Sequence, residues 1–126
     1  MKAKVFLIIF TMIFVHAGHA FTPKKCPGHL ALHAAHLNIS RGGDKWFAQD
    51  YNYFDTQNKW FFYLSPFDAK DARDAHDKAY FYLTQSNLLP AQISPVYEAE
   101  RHRWVCYYEG IFGNKAGAII DNVHIQ

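Results

Sequence analysis

Lys59-Trp60-Phe61-Phe62-Tyr63-Leu64, closed by Ser65-Pro66, decides the fold. Six residues carry four aromatic rings and then a proline, which suits a short strand and a stop. The turn-forming run Asp55-Thr56-Gln57-Asn58 precedes it. Before that lies Lys45 to Phe54, aromatic-rich and without a helical period. The two runs read as a β-hairpin. Rings fall on both faces of the second run, so neither face is a purely polar, solvated one.

Beyond Pro66, Asp68 to Leu83 reads as a helix. Ala72, Ala75, Ala79, Tyr82 and Leu83 share one side, and Asp68 stands as its cap with Asp71 three residues on. The acids Asp68, Asp71, Asp74 and Asp77 recur every third residue, among Lys70, Arg73 and Lys78. A step of three drifts around a helix, so this is a solvated face with pairs such as Asp74–Lys78 rather than a cation site. Upstream, Pro27 to Leu37 is rich in helix formers and reads as a first helix. Asn38 and then Arg41-Gly42-Gly43 stop it.

Downstream, Asn87 to Pro90 reads as a loop and Ile93 to Tyr97 as an edge strand broken by Pro95. Glu98 to Arg103 is a turn, Trp104 to Tyr108 a strong strand, Glu109 to Asn114 a turn, and Lys115 to Asp121 a last strand. The expected class is α+β: two helices on one face of a mostly antiparallel sheet of four to five strands, in the order α-β-β-α-β-β with an optional last strand. The expected core is Trp60, Phe62, Leu64, Ala72, Ala75, Ala79, Leu83, Trp104 and Cys106.

The N-terminus sets the compartment. Met1-Lys2-Ala3-Lys4 is basic, Val5 to Val15 is apolar apart from Thr11, and Ala17-Gly18-His19-Ala20 offers small residues at a cut. These are the three parts of a secretory signal, and the apolar run is about half of what a spanning helix needs. Residues 1–20 are expected to be a cleaved signal peptide and 21–126 a single domain, periplasmic or secreted, with no membrane span. Lys2 and Lys4 account for the formal charge of +2. Without them Lys and Arg balance Asp and Glu, so no basic field draws nucleic acid or anionic lipid. The chain has 2 cysteines, Cys26 and Cys106. An even count in an exported chain argues for one disulfide, against the alternative of free or metal-binding thiols.

Several of these residues form a recognisable layout. Cys26-Pro27 opens the domain after the signal; Trp46 and Trp60-Phe61-Phe62 lie in successive strands; an alanine-spaced helix ends before Leu89-Pro90; Trp104-Val105-Cys106-Tyr107 is followed by Ala116-Gly117-Ala118. This resembles a domain-of-unknown-function family of small exported proteins from intracellular gamma-proteobacterial pathogens of the Legionella and Coxiella type. The resemblance spans nearly all of residues 21–126. It implies a bacterial, exported, one-disulfide domain and carries no catalytic residues.

Two groupings could carry function. On a helix, Cys26, His29, His33 and His36 lie at about 0°, −60°, −20° and −80°, all within a quarter-turn. Such imidazoles suit Zn, Cu, Ni or haem iron. Yet no Glu stands between His29 and His33, and a paired Cys26 is no ligand. Leu30 and Leu37 also crowd the same side, which fits a polar shoulder beside a core. The second grouping is aromatic: Tyr51, Tyr53, Phe61, Tyr63 and Tyr107, together with Tyr108, exceed what two short helices can cover. Exposed rings mark contact surfaces for protein or carbohydrate, although cross-strand ring pairing also accounts for them. No Gly-x-Ser-x-Gly, phosphate loop or dinucleotide fingerprint is present. The expectation is a non-catalytic protein-interaction module. The alternatives are a metal or haem binder using His29, His33 and His36, and a small hydrolase without a recognisable motif.

Overall fold

The computed structural model describes residues 22–85, 88–90, 94–109 and 115–121. The leader expected at residues 1–20 lies outside the described residues. The elements are α1 (His29–His33), β1 (Asn38–Gly42), β2 (Lys45–Asn52), β3 (Trp60–Leu64), α2 (Ala72–Gln85), β4 (Leu89–Pro90), β5 (Val96–Glu98), β6 (Arg103–Glu109) and β7 (Lys115–Asp121), with a 3₁₀ turn at Ala99–Arg101. One antiparallel sheet runs β1-β2-β3-β7-β6-β4, and β5 also pairs with β6. β4 and β5 meet opposite ends of β6, Leu89 at Glu109 and Glu98 at Arg103, so together they form one interrupted edge.

The class is α+β with one disulfide, and the sheet is larger than four to five strands. The main addition is β1. Asn38 and Arg41-Gly42-Gly43, expected to stop a helix, belong instead to a strand and its turn. Gly43, at φ +64°, makes the two-residue turn that folds β1 back on β2, with Gly42 opposite Lys45. A glycine at the first central position of such a turn adopts positive φ without cost. β1 in turn shortens the first helix: Pro27 to Leu37 yields only α1, whose C-cap is Ala34. Leu89 and Pro90, expected in a loop, form the short β4. The expected strand at 93–97 begins only at Val96, and Ile93 is outside the described residues.

The second helix starts a turn later than its first possible cap. Asp71, not Asp68, is the cap: its Oδ1 accepts from the Asp74 N–H at 2.8 Å. Asp74 reaches back to accept from the Lys70 N–H at 2.9 Å, a reciprocal pair that satisfies two donors. Lys78 lies 3.3 Å from Asp74, as a solvated face requires. With the start displaced, Ala72 falls in the first turn and is exposed, a correction to the expected core, while Ala75, Ala79 and Leu83 form the buried stripe.

That stripe meets the sheet. Trp46 and Ala48 of β2, Trp60, Phe62 and Leu64 of β3, Ala116, Ala118 and Ile120 of β7, and Cys106 and Tyr108 of β6 point to one side, and all are buried with Leu32, Ala75, Ala79 and Leu83 of the helices. Alternation along each strand puts these on one face. Trp104 is only partly buried against the cluster. Phe67 joins the core because its backbone pairs with Trp46, N to O at 3.1 and 2.8 Å, past the kink at Pro66.

The disulfide is present. Cys26 and Cys106 are bonded, with Cα atoms 5.8 Å apart. It holds the segment before α1 against β6, and the Tyr108 hydroxyl donates to the Pro27 carbonyl at 2.6 Å beside it. Burial pushes the Tyr108 phenol well above its ordinary range, so it stays a donor at any physiological pH. Asp55, in the β2–β3 turn, accepts from the Gly28 N–H at 2.9 Å and completes the clasp.

Candidate functional site

The histidine grouping depends on a helix that does not extend. α1 ends at His33, so His36 leaves the helical face and the angles that placed it beside the others no longer apply. His29 and His33 remain neighbours, ring centroids 5.9 Å apart and edge to face. The His36 N–H instead donates to Asp50, at 3.1 Å. Cys26 is in the disulfide. Among the described residues, no group of three or more His, Cys, Asp or Glu side chains is placed to hold a metal ion.

The aromatic grouping is assembled. With both helices on one side, the other side of the sheet carries the alternate residues of each strand. The register writes out two rows across it. One runs Tyr51, Phe61, Ile119, Val105, Val96; the next runs Gln49, Tyr63, Gly117, Tyr107. Tyr51, Phe61, Tyr63 and Tyr107 therefore share a face. Tyr53 lies one residue past the end of β2, outside the paired register, and is exposed. Tyr108 points the other way, into the core. Phe47, absent from the expected grouping, is on the open face too, and the signal for it is its period-2 spacing from Gln49 and Tyr51.

The rings are not equally free. Tyr51 is 51% exposed and Tyr107 39%. Tyr63 is half-buried because it lies down on the sheet: a Cβ added to Gly117 would meet its ring and hydroxyl. Phe61 follows it, ring centroids 6.2 Å apart and planes 29° from parallel. Val105, between Ile119 and Val96 in the register, is fully buried without joining the main core. This face thus combines a stacked ring pair, Phe61 and Tyr63, with a fully buried Val105.

Gly117 and Tyr63 should be coupled. Gly117→Ala is expected to cost about 1 kcal/mol, the low end for added bulk, because the Tyr63 ring can swing outward. In a Tyr63→Ala background the same change should be close to neutral. A double-mutant cycle by urea unfolding measures this, and additive losses would contradict the contact between Tyr63 and Gly117.

At the margin of the face, Glu98 accepts from the Tyr107 hydroxyl at 2.6 Å and from Arg103 Nε at 2.7 Å. The tyrosine hydrogen bond first, and the arginine next, hold the Glu98 carboxyl below its usual range. A depressed acid stabilises the fold above its unfolded value, about 4.3 for Glu, and that contribution is lost as pH falls through the lower folded value. The pairing of β5 with β6 is therefore expected to survive mild acid and loosen only below about pH 4.3. Hydrogen exchange at Val96 to Glu98 measures this. Glu98→Gln should remove the acid-dependent step, and an unchanged step would contradict the assignment. Across the face, Lys59 Nζ sits over the Tyr51 ring, 4.5 Å from its centroid.

The fold and this face together define a disulfide-closed α+β domain in which, among the described residues, both helices pack on one face of the sheet. No protein-family model, curated protein or solved structure matches the chain.

Proposed function

We propose that this chain is an exported, non-catalytic interaction module that engages a protein partner through the open face of its sheet. One observation carries the reading: Tyr51 and Tyr107 expose half and more than a third of their surface, on a face shared with Phe61 and Tyr63. Large rings left partly in water do little for stability, and such rings supply much of the binding energy at protein contacts. The bonded Cys26–Cys106 pair is compatible with an oxidising compartment. The leader at residues 1–20 is part of the same reading. So is the balanced charge of residues 21–126, which favours a protein over a polyanion.

A photoreactive amino acid placed at Tyr51, compared with one at Arg73 on the exposed side of α2, tests the proposal in the compartment to which the chain is exported. A discrete adduct is expected from position 51 alone. Equal labelling from both positions, or an adduct only from position 73, would overturn it.

A further inference from the structure

We infer that this chain pairs with a second copy of itself through β1, edge to edge, so that one sheet continues across a twofold axis.

The register shows which backbone groups β1 turns outward. Gly42 and Lys45 are partners and close a two-residue turn. Such a closing pair exchanges both of its hydrogen bonds, and hydrogen-bonded pairs alternate along an antiparallel ladder. Gly42, Ser40 and Asn38 therefore turn their N–H and C=O groups toward β2, and Ile39 and Arg41 turn theirs away. The residues just before β1 keep the same parity. The His36 N–H donates inward to Asp50 of β2, and the Leu37 N–H donates to the Tyr80 hydroxyl of α2 at 2.9 Å. The outward set is thus the donors and acceptors of Ile39 and Arg41, bounded by a Leu37 donor that is already taken.

The two edges of the sheet are guarded differently. β4 has two residues and contains Pro90; β5 has three and runs into the 3₁₀ turn. Short, interrupted strands with a proline discourage pairing. β1 has five residues and no proline. Its one charge, Arg41, is drawn back onto its own chain. Nε donates to the Gly43 carbonyl at 3.2 Å, and the guanidinium stands over Trp46, 5.9 Å from the ring centroid.

These features select the occupant. Antiparallel pairing of two β1 strands about Ser40 sets Ile39 of each copy against Arg41 of the other. Every outward donor and acceptor is then matched, and the two Ser40 side chains meet at the axis. Centring on Ile39 instead would call on the Leu37 N–H that Tyr80 holds. Centring on Arg41 would oppose like charges. Because the other edge is guarded, growth stops at two copies and gives a closed dimer rather than a filament. Tyr80, with His76 against its ring at 4.7 Å between centroids, stands beside the seam and adds side-chain surface to the backbone bonds. The contact is small, so the association is weak and concentration-dependent. The axis is normal to the sheet, so the helix-free faces of both copies point the same way.

Sedimentation equilibrium of the disulfide-intact protein, from micromolar to millimolar concentration, is expected to show a reversible monomer–dimer equilibrium and nothing larger. Ser40 is exposed in the single copy but opposed to itself at the axis, so Ser40→Lys should weaken dimerisation by about tenfold or more. Arg41→Pro removes an outward donor, leaves the ladder to β2 intact and should do the same. Should Arg41→Pro fold poorly, Ser40→Lys decides alone. Cysteine substitution reads the register. Opposed residues that are not hydrogen-bonded to each other have Cα atoms about 4.5 Å apart, within disulfide reach, so Ser40→Cys should cross-link the dimer under a mild oxidant. Asn38→Cys should not, because the two copies of that position lie about 13 Å apart along the strands. A monomer at every concentration, assemblies larger than a dimer, a dimer indifferent to Ser40→Lys, or equal cross-linking by the two cysteine variants would each overturn the inference.

Discussion

Trp60→Ala is expected to destabilise the protein by about 3–5 kcal/mol, a large part of the roughly 5–15 kcal/mol typical of a whole domain. Trp60 is completely buried at the start of β3, in the cluster that both helices help to close. Truncation leaves a ring-sized cavity that Phe62 and Ile120 cannot fill without moving backbone. The indole also has a polar duty. Its Nε1–H donates to Thr56 Oγ1 at 3.1 Å, and the same oxygen accepts from the Asn58 N–H at 3.1 Å. The tryptophan therefore fastens the β2–β3 turn as well as filling the core. Trp60→Phe keeps most of the volume and should lose closer to about 1 kcal/mol, the scale of one hydrogen bond. Trp104→Ala should cost less than Trp60→Ala, because Trp104 is only partly buried and leans on Tyr97, centroids 5.0 Å apart, near the interrupted edge. Urea unfolding of the three variants measures the order. A loss below about 1 kcal/mol for Trp60→Ala would mean that the register of β3 is wrong.

Removing the disulfide should have an effect of the same size by a different route. Cys26 and Cys106 are 80 residues apart in the chain. In the chain-entropy description, opening a loop of that length frees the unfolded state by about 4.5 kcal/mol. A Cys26→Ala, Cys106→Ala double variant loses that constraint and little packing, although Cys106 is fully buried and leaves a small void. The segment carrying Pro27 and Gly28 would then keep its hydrogen bonds to Tyr108 and Asp55 without the covalent tie. Its amides should exchange faster than those of β3 and β7, even where the sheet persists. Thermal unfolding with and without reductant checks this, and a midpoint that reductant does not move would contradict the role assigned to the bridge.

The central hairpin, the second helix, the class and the cysteine pair are all legible in the chain because each has a local signature: period-2 rings, a spaced alanine stripe, a turn cluster, an even cysteine count. The features that escape are set by competition between neighbours. Asn38 to Gly42 carries no apolar alternation, since an edge strand buries little, and only the glycine turn at Gly43 betrays it. Once that strand forms, the first helix cannot reach His36, and His36 leaves the helical face that carries His29 and His33. The cap of α2 is Asp71 rather than Asp68 because the backbone of Phe67 is already committed to pairing with Trp46. The open face is half legible. Alternation places Tyr51, Phe61, Tyr63 and Tyr107 together once the strands are known. Only the register reveals that Gly117 lies between Tyr63 and Tyr107, and strand periodicity does not say that β2 stops before Tyr53.

Tyrosine nitration read by mass spectrometry, in the purified protein and again in the presence of its native exported partners, tests most directly whether the open face is the working surface. In the purified protein Tyr51, Tyr53 and Tyr107 are exposed and should react, whereas buried Tyr108 should not. With partners present, Tyr51 and Tyr107 should become protected while Tyr97, exposed and opposite Trp104 on the helix side of the sheet, continues to react. Protection of Tyr97 together with the other two, or undiminished reaction at Tyr51 and Tyr107, would contradict the account.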